Sequence, residues 1–470
     1  MPILIVTLTA MVTMVVEAFR PPGEKVPIGG LGIIGLVGAG LASALLWNHN
    51  ATSFGVVRAD NFSLFINITL VIIGLLTIVF SGDVIDREEL PAGEYYTLML
   101  FSIAGMMLMA AATDLLVIFL ALEILSLGVY VLTAIRRSSF AGTEGAFKYF
   151  LLGAFSSAFF LYGVALTFAF AGSTRLDRVA SAVASQGSTP SVLLLIAVGL
   201  LLVGFAFKVS AVPFHMWTPD AYQGAPTIVT GFMSTAVKAA AFAAFLRVFL
   251  SAFDPVRGSW TPLLTGIAIA TMVIGTVVGV AQTNVKRMLA YSSIAHAGYL
   301  LVGIIAANSV GKAAVLFYLL SYALTNLGAF AVIALLASKP YEHDEVRDFS
   351  GLWESRPGMA GLMTIFLLSL GGFPPTAGFI AKWYIFAAAV QEGHFALAIV
   401  GVLSSVVSVF YYLRIIVMMY MSDRAHEAPP VRISPMAVAG LAVSVVAIIY
   451  LGVYPTGVID LALNSIDTIF

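Results

Sequence analysis

The sequence predicts an all-α polytopic membrane protein of about 14 transmembrane helices, and three observations carry that expectation. Hydrophobic residues make up 60% of the 470-residue chain and charged residues only 10%, where a soluble domain is about 25% charged. Apolar stretches repeatedly reach the ~18–20 residues needed to cross the hydrocarbon layer. These stretches are continuously apolar, without the period-two alternation over ~10 residues that a barrel strand would show. A soluble chain of this length could build a large core, but too few polar residues remain to cover one, so lipid is the outer solvent.

The expected spans run 1–18, 28–47, 63–81, 95–112, 114–132, 146–171 and 191–211 in the first half. In the second half they run 227–250, 262–281, 288–306, 311–337, 359–390, 396–420 and 433–453. Asp114 alone marks the boundary between the fourth and fifth, and the long stretch 359–390 is interrupted by Gly371-Gly372-Phe373-Pro374-Pro375. The first run lacks a basic leader and a small-residue cleavage site, so it reads as a retained span. The acidic stretch 83–89 reads as a solvated loop, with partner docking as its alternative.

Lysine and arginine favour the cytoplasmic loops of membrane proteins. The odd-numbered loops hold Arg20, Lys25, Arg87, Arg136, Arg137, Lys286, Arg287, Lys339, Arg347, Arg356, Arg424 and Arg432. The even-numbered loops hold Arg58, Arg175, Arg178, Arg257 and Lys312. Odd loops are therefore expected in the cytoplasm and both termini on the outer side of a multi-pass cell-membrane protein. A net charge of −1 gives no reason to expect a nucleic-acid partner, and the absence of cysteine excludes thiolate metal sites, iron–sulfur clusters and disulfides. The histidines are scattered, without the paired spacing of a metal site.

An ionisable side chain at bilayer depth costs several kcal/mol, ~2.5–3.5 on the most lenient scale, so each one calls for a reason. Glu123 lies mid-span, too far from any loop to reach water; it is either a protonated carboxyl bonded to a neighbouring helix or part of a proton path. Lys208 stands near the end of its run and could snorkel to the interface. Against that, Pro213, Pro219 and Pro226 follow in quick succession, with His215, Asp220 and Gln223 among them. Proline removes a backbone donor and breaks a helix, and a helix broken at membrane depth is buried or lines water. Lys238 sits among small residues that let neighbouring helices approach closely. Lys382 follows the second proline break and repeats the pairing of lysine with an interrupted helix. His296 is a candidate relay or a hydrogen-bonded packing residue, and Lys148, one helical turn from Glu144, a relay or an interfacial ion pair. Arg247 and Arg414 read as anchors near span ends. Burial disfavours the charged form of a lysine and a nearby carboxylate favours it, so a buried lysine with a movable carboxylate can switch charge. Several in series make a relay. Nothing in the sequence resembles a nucleophile triad or a phosphate loop.

The segment Phe207-Lys208-Val209-Ser210-Ala211-Val212-Pro213-Phe214-His215-Met216-Trp217-Thr218-Pro219-Asp220 resembles the signature of the antiporter-like subunits of proton-pumping NADH:quinone oxidoreductase, respiratory complex I. So do AQTNVKRMLAYSSIAHAGY at 281–299 and LSLGGFPPTAGFIAKWYIF at 368–386, while EGAFKYFLLGAFSSAFFLYG at 144–163 is similar to the subunit N branch. The resemblance implies helices 1–3 in 1–94, two inverted five-helix repeats in 95–250 and 251–420, each with a broken helix, and a last helix in 421–470. An odd number of spans per repeat inverts the second copy. It further implies proton-transfer roles for Glu123, Lys208, Lys238 and Lys382, with His296, Lys148 and His215 as further relay candidates. No cofactor is expected in this chain; NADH, FMN, iron–sulfur clusters and quinone belong to partner subunits. The implied partners are other membrane-arm subunits, antiporter-like and small, within the lipid bilayer. Lys382 stands where a glutamate is usual in subunit M and in the D subunit of Mrp sodium/proton antiporters, and the chain lacks the long lateral helix of subunit L. The alternatives are an Mrp-type antiporter component, a related redox complex with another electron donor, and a structural spacer.

Overall fold

A computed structural model describes residues 1–21, 27–186, 190–337, 344–423 and 433–469. The expected cytoplasmic residues Lys25, Lys339, Arg424 and Arg432 lie outside the described residues. Eleven helices are each long and apolar enough to cross a bilayer. Three further crossings come from Pro2–Ala18 and from two interrupted helices, Val192–Lys208 with Trp217–Gly224 and Pro357–Gly371 with Ala377–Gln391. The described residues thus make about fourteen crossings, as expected from the apolar runs.

Local chemistry sets the boundaries. Asp114 accepts the Leu116 and Val117 amides and so starts span 5, Leu115–Thr133. Asn284 starts span 10, Val285–Ala306, by accepting the Arg287 amide. Such side-chain acceptors satisfy amides that the first helical turn leaves without partners. Span 3, Asn61–Glu88, opens on a capping box between Asp60 and Ser63. Its length corrects one expectation. Residues 83–88 continue the helix instead of forming a solvated loop: Asp83 accepts the Ser434 amide at the start of span 14, and Arg87 donates to the Ala334 and Leu335 carbonyls ending span 11. Span 14 ends at its expected limit, residue 453, but a further helix follows it. Pro435–Val453 is followed, after Tyr454-Pro455, by Thr456–Ile466, and the second piece packs on spans 3 and 11.

The loops gather into two layers, and the layers alternate along the chain. On one face Asn284 donates to Asp344 (2.7 Å), and Arg414 caps the carbonyls of Val280 and Gln282. On the other, Thr174 donates to Asp114 (2.7 Å), the Thr113 amide reaches the Val56 carbonyl, and Asn308 meets the Ala388 carbonyl. Here too lies a two-stranded hairpin, Ala51–Ser53 with Val57–Ala59. Each odd-numbered loop that can be placed by a contact falls on the first face and each even-numbered loop on the second.

Span 8, Thr227–Ala252, is buried along its whole apolar window, and spans 10 and 11 (Ser309–Leu336) along 94% of theirs. Span 6, Phe140–Ala171, and Pro435–Val453 bury only 33% and 28%. The three inner helices form the axis around which the others stand. Arg247 ends the α-helical part of span 8 and is 2% exposed, so it is no interfacial anchor. Its guanidinium makes two 2.8 Å bonds to Asp60 and a third to the Ala110 carbonyl. A bidentate pair of this kind is what lets a buried guanidinium keep its charge.

Candidate functional site

Glu123, Lys208, Lys238 and Lys382 all fall within the helical layer, and each meets a serine. Ser157 of span 6 donates to the half-buried Glu123 carboxyl at 2.5 Å. Lys208, 3% exposed, donates to Ser126 of span 5 at 2.6 Å. Lys238, 2% exposed, donates to both the carbonyl and the hydroxyl of Ser293 on span 10, each at 2.5 Å. Lys382, 5% exposed, donates to Ser405 of span 13 (Phe395–Met421) at 2.8 Å and to the Leu370 and Gly371 carbonyls at 2.9 and 3.0 Å. A hydroxyl accepts from an ammonium and can also donate to its neutral amine, so these pairings suit a group that changes charge.

Each lysine also lies over an aromatic ring. Lys208 stands 5.5 and 5.4 Å from the ring centres of Tyr130 and Tyr149, Lys238 5.5 Å from Tyr322, and Lys382 5.2 Å from Tyr299. Ring faces attract cations at this range and more strongly where water is excluded. Serine and tyrosine together give each buried ammonium partial solvation without a fixed counter-ion.

Glu123 and Lys208 do not bond one another. Ser126, one helical turn beyond Glu123, takes the lysine instead, and its own hydroxyl donates to the Leu122 carbonyl. The crevice lined by Leu122, Ser157, Phe207 and Lys208 is too narrow to admit a water molecule. The break itself borders a largely apolar cavity of about 200 Å³ at Pro213, Phe214 and Met216, but Lys208 is not among the residues that line it. Carboxyl and lysine are close but separately held.

Of the further relay candidates, His296 is on the axis. Its Nδ1 lies 2.6 Å from the Tyr318 hydroxyl and its Nε2 3.3 Å from that of Tyr412, which also bonds Ser292. Both ring nitrogens are engaged by hydroxyls that can donate or accept, which is the arrangement a proton relay through imidazole needs. Lys148 sits at the membrane surface, bonded to Glu144 at 2.7 Å and to Asp220 at 2.8 Å. Asp220 is shared with Arg287 at 2.7 Å, so one carboxylate joins span 6, the end of span 7 and the start of span 10. His215 is half-buried within the first break and its Nδ1 has no hydrogen-bond partner among the described residues.

Both broken helices form as the prolines predict. Beyond Lys208 the chain turns through Ser210, with φ of 64°, and the helix resumes at Trp217. Beyond Gly371 it turns through Gly372, with φ of 83°, where only glycine is at ease, and resumes at Ala377. Sequence reasoning missed Ser126, Ser157, Ser293, Ser405 and Tyr412, and named Asp220 only as a residue of the first break. Serine is common in apolar spans and carries no pattern of its own. A usable signal existed only in spacing, since Ser126 follows Glu123, and His296 follows Ser292 and Ser293, at one helical turn. The sequence also gives no hint of the π-helical turn Met233–Val237 that immediately precedes Lys238.

Residues 112–408 match the family profile described as NADH:quinone oxidoreductase/Mrp antiporter, TM. The chain is 45% identical over 470 residues to the NADH-quinone oxidoreductase subunit N of Trichlorobacter lovleyi, with 100% of this chain and 96% of the relative covered. It is 43% identical to the subunit N of Chloroflexus aggregans, covering 99% and 96%. Its fold superposes on a chain of respiratory complex I from Thermus thermophilus with bound aureothin at a TM-score of 0.84 and 34% identity, covering 98% of this chain and 100% of that one. The buried lysines thus stand within a membrane-embedded antiporter-like scaffold, and the chain belongs to the NADH:quinone oxidoreductase/Mrp antiporter membrane family, among its subunit N members.

Proposed function

We propose that this chain is the subunit N of a proton-pumping NADH:quinone oxidoreductase and carries protons through Glu123, Lys208, Lys238, His296 and Lys382. The single observation that carries this reading is the series of buried lysines at bilayer depth, each on a serine hydroxyl, without a fixed carboxylate partner among the described residues. A structural cation is expected to resemble Arg247, locked bidentately to Asp60. With no carboxylate pinning the charged form, these lysines can lose and regain a proton. NADH oxidation, the flavin, the iron–sulfur clusters and the quinone site fall to partner subunits; no His, Cys, Asp and Glu cluster able to hold a metal occurs among the described residues.

The reading also requires neighbours. Glu123 is only half-buried, beside the exposed Leu120, Ile124 and Leu127 of span 5. A carboxyl at bilayer depth faces protein or a water-filled cavity rather than lipid, so another membrane-arm subunit covers this face. The two inverted repeats, spans 4–8 and 9–13, find support in the capping residues. Asp114 and Asn284 each begin the second helix of a repeat, and each bonds a residue 60 positions further on, at opposite faces of the membrane. The excess of arginine and lysine on the odd-loop face supports cytoplasmic placement of that face and outward termini in the cell membrane.

The test is Lys382→Arg in the assembled complex. Arginine keeps the charge and holds its proton (pKa above ~12). Normal assembly with lowered quinone-coupled proton translocation in vesicles is the expected result. Wild-type pumping at normal complex abundance would overturn the relay role of Lys382.

A further inference from the structure

The three acceptors around Lys382 match the three N–H donors of an ammonium, and two of them are backbone carbonyls exposed by the break after Gly371. Their positions are therefore fixed by whatever holds the break. The peptide turn from Phe373 to Thr376 closes on itself, with the Thr376 amide and hydroxyl both bonded to the Phe373 carbonyl. Span 14 packs on both halves of span 12, while the side chains of Pro374 and Pro375 in the turn stay exposed.

That packing rests on one glycine. A Cβ added at Gly452 would lie 2.0 Å from the Pro375 carbonyl oxygen and 2.6 Å from the carbonyl carbons of Pro375 and Thr376. All three neighbours are backbone atoms, which cannot rotate away as a side chain can. Span 14 touches the turn main chain to main chain, and any larger residue at 452 forces the two apart by about an ångström. Immediately beyond, span 14 has its own interruption at Tyr454-Pro455. The interruptions of spans 12 and 14 are thus neighbours and form one junction. In the first broken helix the comparable main-chain approach falls on its second half and not on the turn: a Cβ added at Gly145 of span 6 would lie 2.6 Å from the Asp220 carbonyl oxygen.

We propose that Gly452 is a positioning residue for proton transfer at Lys382: it lets span 14 brace the span 12 turn so that the Leu370 and Gly371 carbonyls stand where the ammonium needs them. The inference rests on the relay role of Lys382 given above. Gly452 touches no proton itself and acts through the turn.

The experiment measures quinone-coupled proton uptake by vesicles holding the assembled complex, for Gly452→Ala, Lys382→Ala, the double variant and the control Gly457→Ala, where a methyl meets nothing within 4 Å. Gly452→Ala is expected to lower pumping by about threefold or more, since ~1 Å misplacements can cost far larger factors. Gly457→Ala is expected to pump normally. In the Lys382→Ala background, Gly452→Ala should add nothing, because the group it positions is gone; a purely structural role would add its own loss. Wild-type pumping by Gly452→Ala, or a fully additive double variant, overturns the inference. Wild-type pumping by Lys382→Ala instead removes the relay reading on which it rests. If Gly452→Ala lowers complex abundance, Pro455→Ala serves in its place. It re-aims the end of span 14 without adding an atom at 452, and must show the same loss and the same lack of additivity with Lys382→Ala.

Discussion

The two broken helices solve one problem in different ways. A helix interrupted at membrane depth frees backbone groups that must find partners. In the first break they find neutral ones. The Val212 amide donates to the Thr271 hydroxyl of span 9 (2.9 Å), the Trp217 indole donates to the Phe207 carbonyl (3.2 Å), and Thr218 donates to Ser210 (2.8 Å). Lys208 takes no part and points away to Ser126. In the second break the lysine itself is the cap, with two of its three bonds on the freed carbonyls. The charge of Lys382 is therefore tied to the shape of its helix, whereas that of Lys208 is not. A proton leaving Lys382 withdraws donor capacity from the turn; a proton leaving Lys208 disturbs only a serine and two rings.

Replacing each lysine by methionine breaks or sharpens this contrast most directly. Lys382→Met leaves two buried carbonyls without donors, at about 1–3 kcal/mol for each unsatisfied group. It should lower both pumping and the thermal stability of the complex. Lys208→Met should lower pumping alone, with the melting temperature of the purified complex nearly unchanged. Equal stability losses would erase the distinction.

Trp217→Phe comes next, removing the indole donor from the Phe207 carbonyl while keeping an aromatic ring against Tyr149. It should cost about 1–3 kcal/mol, as one buried acceptor is orphaned, and show as greater protease sensitivity near residue 217. The smallest effect is expected at the serines. Ser126→Ala should slow pumping without affecting assembly, and Ser405→Ala should do less, because Lys382 keeps its two carbonyls. A larger loss for Ser405→Ala than for Ser126→Ala would reverse the ordering. Glu123→Gln and Lys208→Ala, which make no direct bond, should still be less than additive, through Ser126; full additivity would separate them into independent sites.

These contrasts explain what could be seen in the sequence. The breaks were legible because proline cannot continue a helix whatever surrounds it. The lysines and Glu123 were legible because charge is rare at such depth. The Arg247–Asp60 pair was not, since its members stand 187 residues apart and each sits beside a loop, where a charged residue attracts no notice. The second piece of span 14 was hidden too. Thr456–Ile466 holds Asp460 and Asn464 and is far shorter than the ~18 residues of a complete crossing, so only its docking on spans 3 and 11 marks it as membrane-embedded. The serines around the lysines stayed anonymous until their partners were known.

Span 8 carries a consequence of its own. Its π-helical turn, Met233–Val237, lies just before Lys238, and a second one, Val248–Ala252, just after Arg247. Each residue advances an α-helix by about 100° of azimuth, and a π turn absorbs one extra residue without lengthening the climb in proportion. Between the two turns, Lys238 and Arg247 ride on one rigid segment whose phase is fixed at one end by Asp60. Deleting a single residue from 233–237 would therefore return the turn to α-helix with its flanks in phase. A deletion within 239–246 would instead turn Lys238 by about 100° against Arg247, and either Ser293 or Asp60 would lose its cation. The π turn is thus the place where span 8 can give up a residue, and 239–246 a place where it cannot, although both look in composition like any other apolar run.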